Sequence, residues 1–234
     1  MIDFHSHVLP GIDDGSSNIE ESLALMELQA RQGITHTVAT PHFYPDHQSV
    51  ERFLGRRSQA EAELRQAMVE KSGLPELTVG AEVHYFRGIG QCEDLRELTI
   101  GSGKYILIEL PYGQWSDRMY QELGEISEKQ GLIPVIAHVD RYLGTFSTRG
   151  IPEKLMDRGC LIQINASALL TPLARRLSLK MLRREQIHLL GSDCHDLSSR
   201  PPRLGEAVEK LRSAVGEGAL DSLDALGEQI LFGT

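Results

Sequence analysis

The sequence predicts an α/β protein that folds into a distorted, TIM-like (β/α)7 barrel. Two observations predict this fold: seven apolar, β-rich stretches alternate with stretches of helical composition, and each apolar stretch ends in a residue that can bind a metal. Strands that are joined by helices form parallel sheets through right-handed crossovers. In an open sheet the ligand site takes residues from a few strand ends at one switch point, whereas in a barrel it takes residues from nearly all strand ends. We therefore expect a barrel with one site at its carboxyl face.

The seven predicted strands are short and rich in β-branched residues, and a His, Glu, Asp or Asn closes each of them. In chain order they end at His5 and His7, His42, Glu82, Glu109, His138, Asn165, and Asp193 with His195. One polar residue at the end of a buried strand is common and means little. Its repetition along the chain indicates that these side chains share one site.

The intervening stretches carry helix-forming residues, capping residues and terminal glycines. The first predicted helix begins at a capping box of Ser17, Asn18, Ile19 and Glu20 and ends at Gly33. The other predicted helices cover 50–72, 116–130, 152–158 and 173–184, and two short helices, separated around Gly216 and Gly218, cover 203–232. The sequence contains no internal repeat and no linker. Residues 1–234 are therefore expected to form a single domain.

The composition is that of an ordinary globular protein, with 41% hydrophobic and 24% charged residues. A formal net charge of −9 argues against a nucleic-acid partner. No stretch approaches the ~20 consecutive apolar residues of a membrane span, and the first residues do not resemble a signal peptide. Three cysteines without CxxC spacing favour a reducing environment. These features predict a cytoplasmic protein without a membrane span.

Two pairs of candidate metal ligands have the same two-residue spacing. His5 and His7 lie in the first predicted strand, and Asp193 and His195 lie at the end of the last one. Residues two apart in a strand point the same way, so both members of each pair can face one ion. A solvent-facing pair would have the same spacing, but the position at a strand end favours a metal site.

Two glutamates are embedded in apolar sequence at strand ends. Glu82 follows Gly80 and Ala81, and Glu109 lies between Ile108 and Leu110. An unpaired buried carboxylate costs several kcal/mol, and few cations are available nearby, so a metal is favoured over salt bridges. Together with His42 and His138, the ligand candidates exceed the roughly four that one tetrahedral zinc uses. The sequence therefore predicts two or three ions, and the mixed nitrogen and oxygen donors suit manganese, iron or zinc.

Other polar residues remain open on spacing alone. Asp14, in an Asp-Asp-Gly stretch, is as consistent with a turn as with an oxygen ligand. His36 and His188 fall near strand beginnings, where structural roles are expected. His47 lies in the loop after His42 and His84 lies two residues after Glu82, so either could face substrate without being a ligand.

Two arginines follow the ligand strands. Arg141 comes three residues after His138, and Arg200 precedes Pro201 and Pro202. A lone loop arginine usually faces solvent. Because both loops rise from the predicted ligand face, we favour bidentate contacts to phosphate.

Cys194 and Arg200 match the bare Cys-x5-Arg formula of cysteine-dependent tyrosine phosphatases. Such a loop wraps phosphate with backbone N–H groups and leads into a helix N-terminus that lowers the thiol pKa. Pro201 and Pro202 disfavour that transition, and the loop lacks glycine. Cys194 also alternates with Asp193 and His195, so we interpret it as uninvolved in the chemistry.

Several segments resemble the polymerase-and-histidinol-phosphatase (PHP) superfamily, and more narrowly the bacterial manganese-dependent protein-tyrosine phosphatases of capsule and exopolysaccharide gene clusters. They are HSHVLPGIDDG, TPH, GAEVHY, LIEL, AHVDRY and SDCHDLSSRPP, in order over residues 1 to 205. The resemblance implies the PHP fold, a distorted (β/α)7 barrel with three metals. It implies Mn²⁺, with Fe, Zn or Mg as alternatives, bound by His5, His7, Asp14, His42, Glu82, Glu109, His138, Asp193 and His195. It also implies a bridging Glu82 and phosphate contacts from Arg141 and Arg200.

The expected activity is that of a metal-dependent phosphomonoesterase that hydrolyses phosphotyrosine on protein by attack of metal-activated hydroxide. The resemblance implies that the substrate is the tail of a tyrosine autokinase that controls polysaccharide synthesis. A histidinol-phosphate phosphatase would have the same metal ligands and is the nearest alternative. A PHP-type 3′–5′ exonuclease conflicts with the acidic charge, and a non-catalytic metal protein conflicts with the two arginines. Neither the kinase nor the oligomeric state follows from the sequence.

Overall fold

Parallel strands form the framework of the computed structural model, which describes residues 1–143 and 150–233. In these residues the strands, in chain order, are β1 Ile2–Ser6, β2 His36–Ala39, β3 His42–Phe43, β4 Glu76–Val79, β5 Glu82–His84, β6 Tyr105–Glu109, β7 Ile133–Ile136, β8 Leu161–Asn165 and β9 Leu189–Gly191. Strand β1 pairs with β2 and β2 with β4, while a second sheet has the order β3-β5-β6-β7-β8-β9. All of these pairs are parallel, as predicted.

Two of the seven predicted strands are each divided in two. The second is interrupted at Thr40 and Pro41, and the third at Gly80 and Ala81. Proline has no N–H to donate to a neighbouring strand, which limits regular pairing at Pro41. Pairing resumes beyond the break, where the N–H of Glu82 donates to the carbonyl of Pro41 at 3.0 Å. The paired breaks let the sheet bend while it keeps its strand order.

The last strand returns to the first. The N–H of Asp193 donates to the carbonyl of His5 at 2.7 Å, and the N–H of His7 donates to the carbonyl of Cys194 at 2.9 Å. Gly191 permits this approach, because a Cβ there would lie 2.5 Å from the Cβ of His5. The molecule is therefore an α/β protein with a curled parallel sheet whose ends meet at the carboxyl side.

Helices follow most strands, largely where the sequence predicts them. They are α1 Ile19–Arg31, α2 Val50–Met68, α3 Asp117–Gln130, α4 Ile151–Met156, α5 Ala166–Leu170, α6 Pro172–Leu182, α7 Leu204–Val215 and α8 Glu217–Phe232. Short 3₁₀ helices cover Ile89–Gln91, Glu93–Leu98 and Val139–Tyr142. No helix in the described part of the chain is both long enough and apolar enough to cross a membrane.

Four details of the helix prediction need correction. The N-cap of α1 is Asn18, whose side chain accepts from the N–H of Glu21, so the capping box is displaced by one residue. Helix α2 ends at Met68, short of the predicted residue 72. The short α5 directly after β8 was not predicted. Gly216 separates α7 from α8, but Gly218 lies inside α8.

Helix α8 covers one end of the curled sheet. A buried cluster joins Ile2, Phe4, Val38, Leu107, Val135 and Leu189 of the strands with Ile230 and Leu231 of α8. The contact is close, since a Cβ on Gly227 would lie 2.7 Å from the ring of Phe4. These strand residues precede the polar strand ends, so the apolar cluster fills the amino-terminal part of the interior. The polar residues at the carboxyl ends lie above it.

Candidate metal centre

The nine residues that the resemblance implies as metal ligands come from seven different parts of the fold. They are His5 and His7 at the end of β1, Asp14 in the following loop, His42 at the start of β3, Glu82 at the start of β5, Glu109 at the end of β6, His138 after β7, and Asp193 and His195 after β9. The structure brings all nine together. Parallel pairing accounts for this convergence, because it places the carboxyl ends of the strands at one side of the sheet.

The donor atoms of eight of these residues form three overlapping groups. Within each group, one donor atom from every member lies within 4.8 Å of the others. The groups are His7, Asp14, His42 and His195; His5, His7 and Asp193; and His42, Glu82 and Glu109. The ninth residue, His138, joins them through its Nε2, which lies 2.9 Å from Glu82 Oε1 and 3.6 Å from Glu109 Oε1. Because the groups overlap at His7 and His42, the donor atoms form one continuous cluster.

Glu82 lies at the middle of this arrangement. Its side chain is inaccessible to solvent, and its Oε2 lies 3.2 Å from His5 Nε2 and 2.9 Å from His42 Nδ1. The other oxygen faces His138. Both oxygens of this buried carboxylate therefore face imidazoles that come from different strands.

Unpartnered polar atoms test whether this donor set fits metal ions. In the described part of the chain, Glu82 Oε2, His138 Nδ1 and His195 Nε2 are buried and form no hydrogen bond of acceptable geometry. Buried polar atoms are nearly always satisfied, so such a concentration within one site needs an explanation. A divalent cation would satisfy Glu82 Oε2 and His195 Nε2, and the mixed nitrogen and oxygen donors suit manganese, iron or zinc.

Burial and neighbouring charges shift the pKa values of several residues in the centre. Burial alone would lower the pKa of His7, but the carboxylates of Asp13 and Glu82 raise it to about 10. Burial alone would raise the pKa of Glu82, but the charges and hydrogen bonds of the surrounding histidines hold it well below its usual range. Burial and the neighbouring His7 lower the pKa of His195 to about 4. The imidazoles must be neutral to bind metal, so metal binding displaces protons from this cluster.

Two of the nine residues have an unusual backbone conformation. His138 has φ of 34° and Asp193 has φ of 52°, a left-handed region that residues with a side chain seldom adopt. Each such residue costs about 1–3 kcal/mol, and they concentrate at functional sites. In both cases the turn directly follows a strand and directs the side chain into the centre.

Asp13 is a residue that sequence reasoning missed. Its Oδ2 accepts from His7 Nδ1 at 2.7 Å and from the N–H of His42 at 2.9 Å. Its Oδ1 accepts from the N–H of Gly15 at 3.0 Å. A carboxylate on the far nitrogen of a metal-binding histidine fixes its tautomer and orientation. The Asp-Asp-Gly stretch offered no signal that would separate this role from a turn.

Gln163 and Asn165 of β8 were also missed as site residues, although Asn165 was noted as a polar strand end. Gln163 Oε1 lies 3.3 Å from His5 Nδ1 and accepts from the N–H of His138 at 2.6 Å. Asn165 Nδ2 donates to Asp193 Oδ2 at 2.7 Å. Their two-residue spacing puts both side chains on one face of β8, which was the available signal.

Both arginines reach the centre. Arg141, in the 3₁₀ helix Val139–Tyr142, forms an ion pair with Asp193 Oδ2, and Arg200 Nη2 lies 2.7 Å from Asp193 Oδ1. The two side chains are partly exposed, whereas Asp193 is buried. One carboxylate therefore positions two guanidinium groups at the mouth of the site.

The remaining histidines divide into two classes. His84 Nδ1 lies 3.1 Å from Glu109 Oε2, and the ring of His47 lies 5.3 Å from that of Tyr44, so both border the centre. His36 instead pairs with Glu76 at the amino end of β2, and His188 Nδ1 accepts from a backbone N–H. The latter two have the structural roles that their positions predict.

Cys194 does not face the centre. Its side chain is fully buried, and its Sγ lies 3.8 Å from Gln29 Nε2 of α1. Burial and the nearby carboxylate of Asp3 raise the thiol pKa. A thiolate nucleophile is therefore disfavoured, and the Cys-x5-Arg match is coincidental.

Comparisons with known proteins identify relatives of this chain over nearly its whole length. A model described as capsular polysaccharide synthesis, CpsB/CapC, matches residues 1–228. The tyrosine-protein phosphatase CpsB of Streptococcus pneumoniae is 30% identical, over 92% of this chain and 91% of its own. Crystal structures of Bacillus subtilis YwqE and S. pneumoniae CpsB, described as metal-dependent tyrosine phosphatases, provide a match with a TM-score of 0.85 at 26% identity, covering 99% and 94% of the two chains.

A histidinol-phosphatase structure is less similar. HisK of Listeria monocytogenes, named for that activity, matches with a TM-score of 0.51 at 12% identity, over 83% of this chain and 95% of its own. At that identity the likeness concerns the fold alone. The comparisons therefore favour the tyrosine-phosphatase relatives over the histidinol-phosphate alternative.

Proposed function

Because the chain belongs to the CpsB/CapC family of capsular polysaccharide synthesis, we propose that it is a metal-dependent tyrosine phosphatase that hydrolyses phosphotyrosine on proteins. One observation carries this proposal: three overlapping groups of metal-binding side chains converge beside two arginines. Such a site combines cations and guanidinium groups around one position, which is the arrangement that phosphoryl transfer needs.

The proposed ligands are the nine converging residues, with Glu82 as the bridging carboxylate. Three groups of donor atoms support two or three ions. The mixed imidazole and carboxylate donors suit manganese, iron or zinc, and among these manganese is proposed because the family resemblance implies it, with iron, zinc and magnesium as the alternatives. When bound, such ions supply a nucleophilic water at neutral pH and positive charge opposite the phosphoryl oxygens.

The protein's own residues bind and orient the substrate. Arg141 and Arg200 present planar donors that match phosphoryl oxygens, and Asp193 fixes where those donors point. A phenolate leaving group has a free pKa of about 10, so one proton from an imidazole that is not a ligand, such as His84 beside Glu109, suffices to release it. Because Cys194 is buried away from the centre, no phosphoenzyme is expected.

The test compares kcat/KM for a phosphotyrosine peptide and for histidinol phosphate, using purified protein loaded with Mn²⁺. A strong preference for the peptide is expected. A preference for histidinol phosphate would keep the metal centre and overturn the proposed substrate. Hydrolysis of neither substrate by fully loaded protein would overturn the phosphatase assignment itself.

Cys194→Ser is expected to retain most of the wild-type activity. The thiol is buried and lies beside Gln29 of α1 rather than in the centre, and burial raises its pKa, which disfavours a thiolate nucleophile. The measurement is kcat/KM for the phosphotyrosine peptide together with metal content. An inactive Cys194→Ser protein that still bound its full complement of metal would contradict the proposed mechanism.

Asp13→Asn is expected to weaken metal binding about 10–100-fold, the usual effect of removing a carboxylate behind a ligand histidine. The substitution keeps the shape of the side chain but weakens the contact to His7 Nδ1. Metal affinity would be measured by titration of the metal-free protein. Asp157→Asn, at an exposed position beyond α4, is a surface control for the same substitution and should bind metal normally. Unchanged affinity in Asp13→Asn would show that Asp13 serves only the turn.

Two finer features of the protein are also part of the proposal. Complete closure of the sheet into a distorted (β/α)7 barrel is supported by the parallel bridge between Ser6 and Cys194. A cytoplasmic location, and with it an autophosphorylated tyrosine-kinase tail as substrate, is supported by the three free cysteines and by the family relationship. The kinase substrate is testable by dephosphorylation of a purified autophosphorylated kinase from the same capsule system.

A further inference from the structure

A cavity of about 320 Å³ opens beside the metal centre and has no role in the proposed reaction. Asp14 and His42 form the wall that it shares with the centre. The outer wall comes from the loop after β3 and the first turns of α2, and includes Tyr44, His47, Gln48, Arg52 and Arg56. The volume is several times the ~30 Å³ of a water molecule, so a side chain can enter.

The free charge in this cavity is positive, although the protein as a whole is acidic. Asp13 is already engaged by His7 and by the N–H groups of His42 and Gly15. Asp14 faces the imidazoles of His42 and His195, and in the metal-loaded protein its charge is taken up by the ions that it is proposed to bind. Both carboxylates of the inner wall therefore interact with the metal centre rather than with the arginines of the outer wall.

The arginines are not neutralised in the same way. Arg56 donates to the carbonyl of Ile12 at 2.5 Å and to Gln48 Oε1 at 3.3 Å, and neither partner carries a charge. Arg52 is exposed, and no carboxylate of residues 1–143 or 150–233 forms an ion pair with it. Two guanidinium groups thus face a cavity that adjoins the reaction site.

We infer that this cavity is a specificity subsite for an oxyanionic side chain that lies close to the phosphotyrosine in the substrate sequence. The inference rests on the proposed function. Guanidinium groups recognise carboxylate and phosphoryl oxygens through paired donors. An extended peptide advances about 3.5 Å per residue, so residues within three positions of the phosphotyrosine can reach a cavity that borders His42. The group is either a Glu or Asp side chain or a second phosphorylated tyrosine.

The test uses metal-loaded protein and three sets of phosphotyrosine peptides. One set has neutral neighbours, one has a single glutamate scanned over the three positions on each side, and one has phosphonomethyl-phenylalanine at those positions. The phosphonate mimics a second phosphotyrosine but cannot be hydrolysed, so each peptide has one reactive group. Glutamate is expected to raise kcat/KM about two- to fivefold at its best position, and the phosphonate about tenfold.

Arg52→Glu should reverse this preference, and Arg52→Gln should remove most of it. The control is Arg31→Gln, an exposed arginine of α1 outside the cavity, which should keep the wild-type ratio of kcat/KM values. The preference should also shrink as salt rises, because an exposed charge pair is screened. Equal kcat/KM values for all peptide sets, or an unchanged ratio in Arg52→Glu, would overturn the inference. Failure of the wild type to hydrolyse any phosphotyrosine peptide would instead overturn the proposed function.

Discussion

Glu82→Gln is expected to lower kcat/KM for a phosphotyrosine peptide by at least about a thousandfold, because it removes the carboxylate that is proposed to bridge the metal ions. The side chain is inaccessible to solvent and faces His5, His42 and His138. Glutamine keeps the volume and one carbonyl oxygen, so packing is preserved. An amide cannot bridge two cations as a carboxylate does, and the amount of bound metal should fall with the activity.

The matched control for this change is Glu122→Gln. Glu122 is also a buried glutamate, but it lies on α3 and pairs with Arg118 and Tyr85, away from the centre. Its replacement should lower the free energy of unfolding by about 1–3 kcal/mol while metal content and kcat/KM remain near wild type. Metal content would be measured by elemental analysis of the purified proteins. Glu82→Gln protein with full metal content and normal kcat/KM would refute the bridging role.

The position of the site was predictable because it depends on alternation and parallel pairing, which are local in sequence. Glu82 and Glu109 each follow an apolar run, and parallel strands bring such ends to one side of a sheet. The two-residue spacing of His5 and His7 was equally informative. No precise distance was needed for these predictions, since the strands themselves bring the residues together.

The backbone at the strand ends was not predictable in the same way. His138 and Asp193 adopt positive φ angles that their own preferences disfavour, so tertiary contacts must stabilise them. One such contact is the hydrogen bond from the N–H of His138 to Gln163 of another strand. Sequence patterns indicate the backbone conformation that a segment prefers by itself, whereas here a residue distant in sequence stabilises a different one.

Strand alternation also gave an incomplete account of β1. Strict alternation would place Asp3 on the same side as His5, with Phe4 on the other. Instead, Asp3 accepts from Gln29 of α1, whereas Phe4 packs against Gly227 of α8. The register of β1 against β2 shifts between Asp3 and Ser6. Because of this irregularity, the neighbouring residues Phe4 and His5 both point into the interior. A simple period of two cannot predict this.

Arg141→Ala is expected to lower kcat for phosphotyrosine hydrolysis about 10²–10³-fold while the metal content stays unchanged. The guanidinium is partly exposed and paired with Asp193, so it lies beside the proposed metal centre without being one of its ligands. Asp193 keeps its contacts with Arg200 and Asn165 when Arg141 is removed, so the ligand should stay in position. The measurements are kcat, KM and metal content, with the affinity for inorganic phosphate as a separate measure of oxyanion binding.

Two further variants separate charge from geometry. Arg141→Lys keeps the positive charge but loses the planar pair of donors, so an intermediate kcat is expected if bidentate contact matters. Arg118→Ala, on α3 and paired with Glu122, controls for the loss of an ion-paired arginine elsewhere and should keep wild-type kcat. If Arg141→Ala lost metal in proportion to activity, the arginine would be acting through Asp193 rather than on the phosphoryl group. Retained metal with a large loss of kcat would place the guanidinium on the transferring phosphoryl group, since Asp193 would still be held by Arg200 and Asn165.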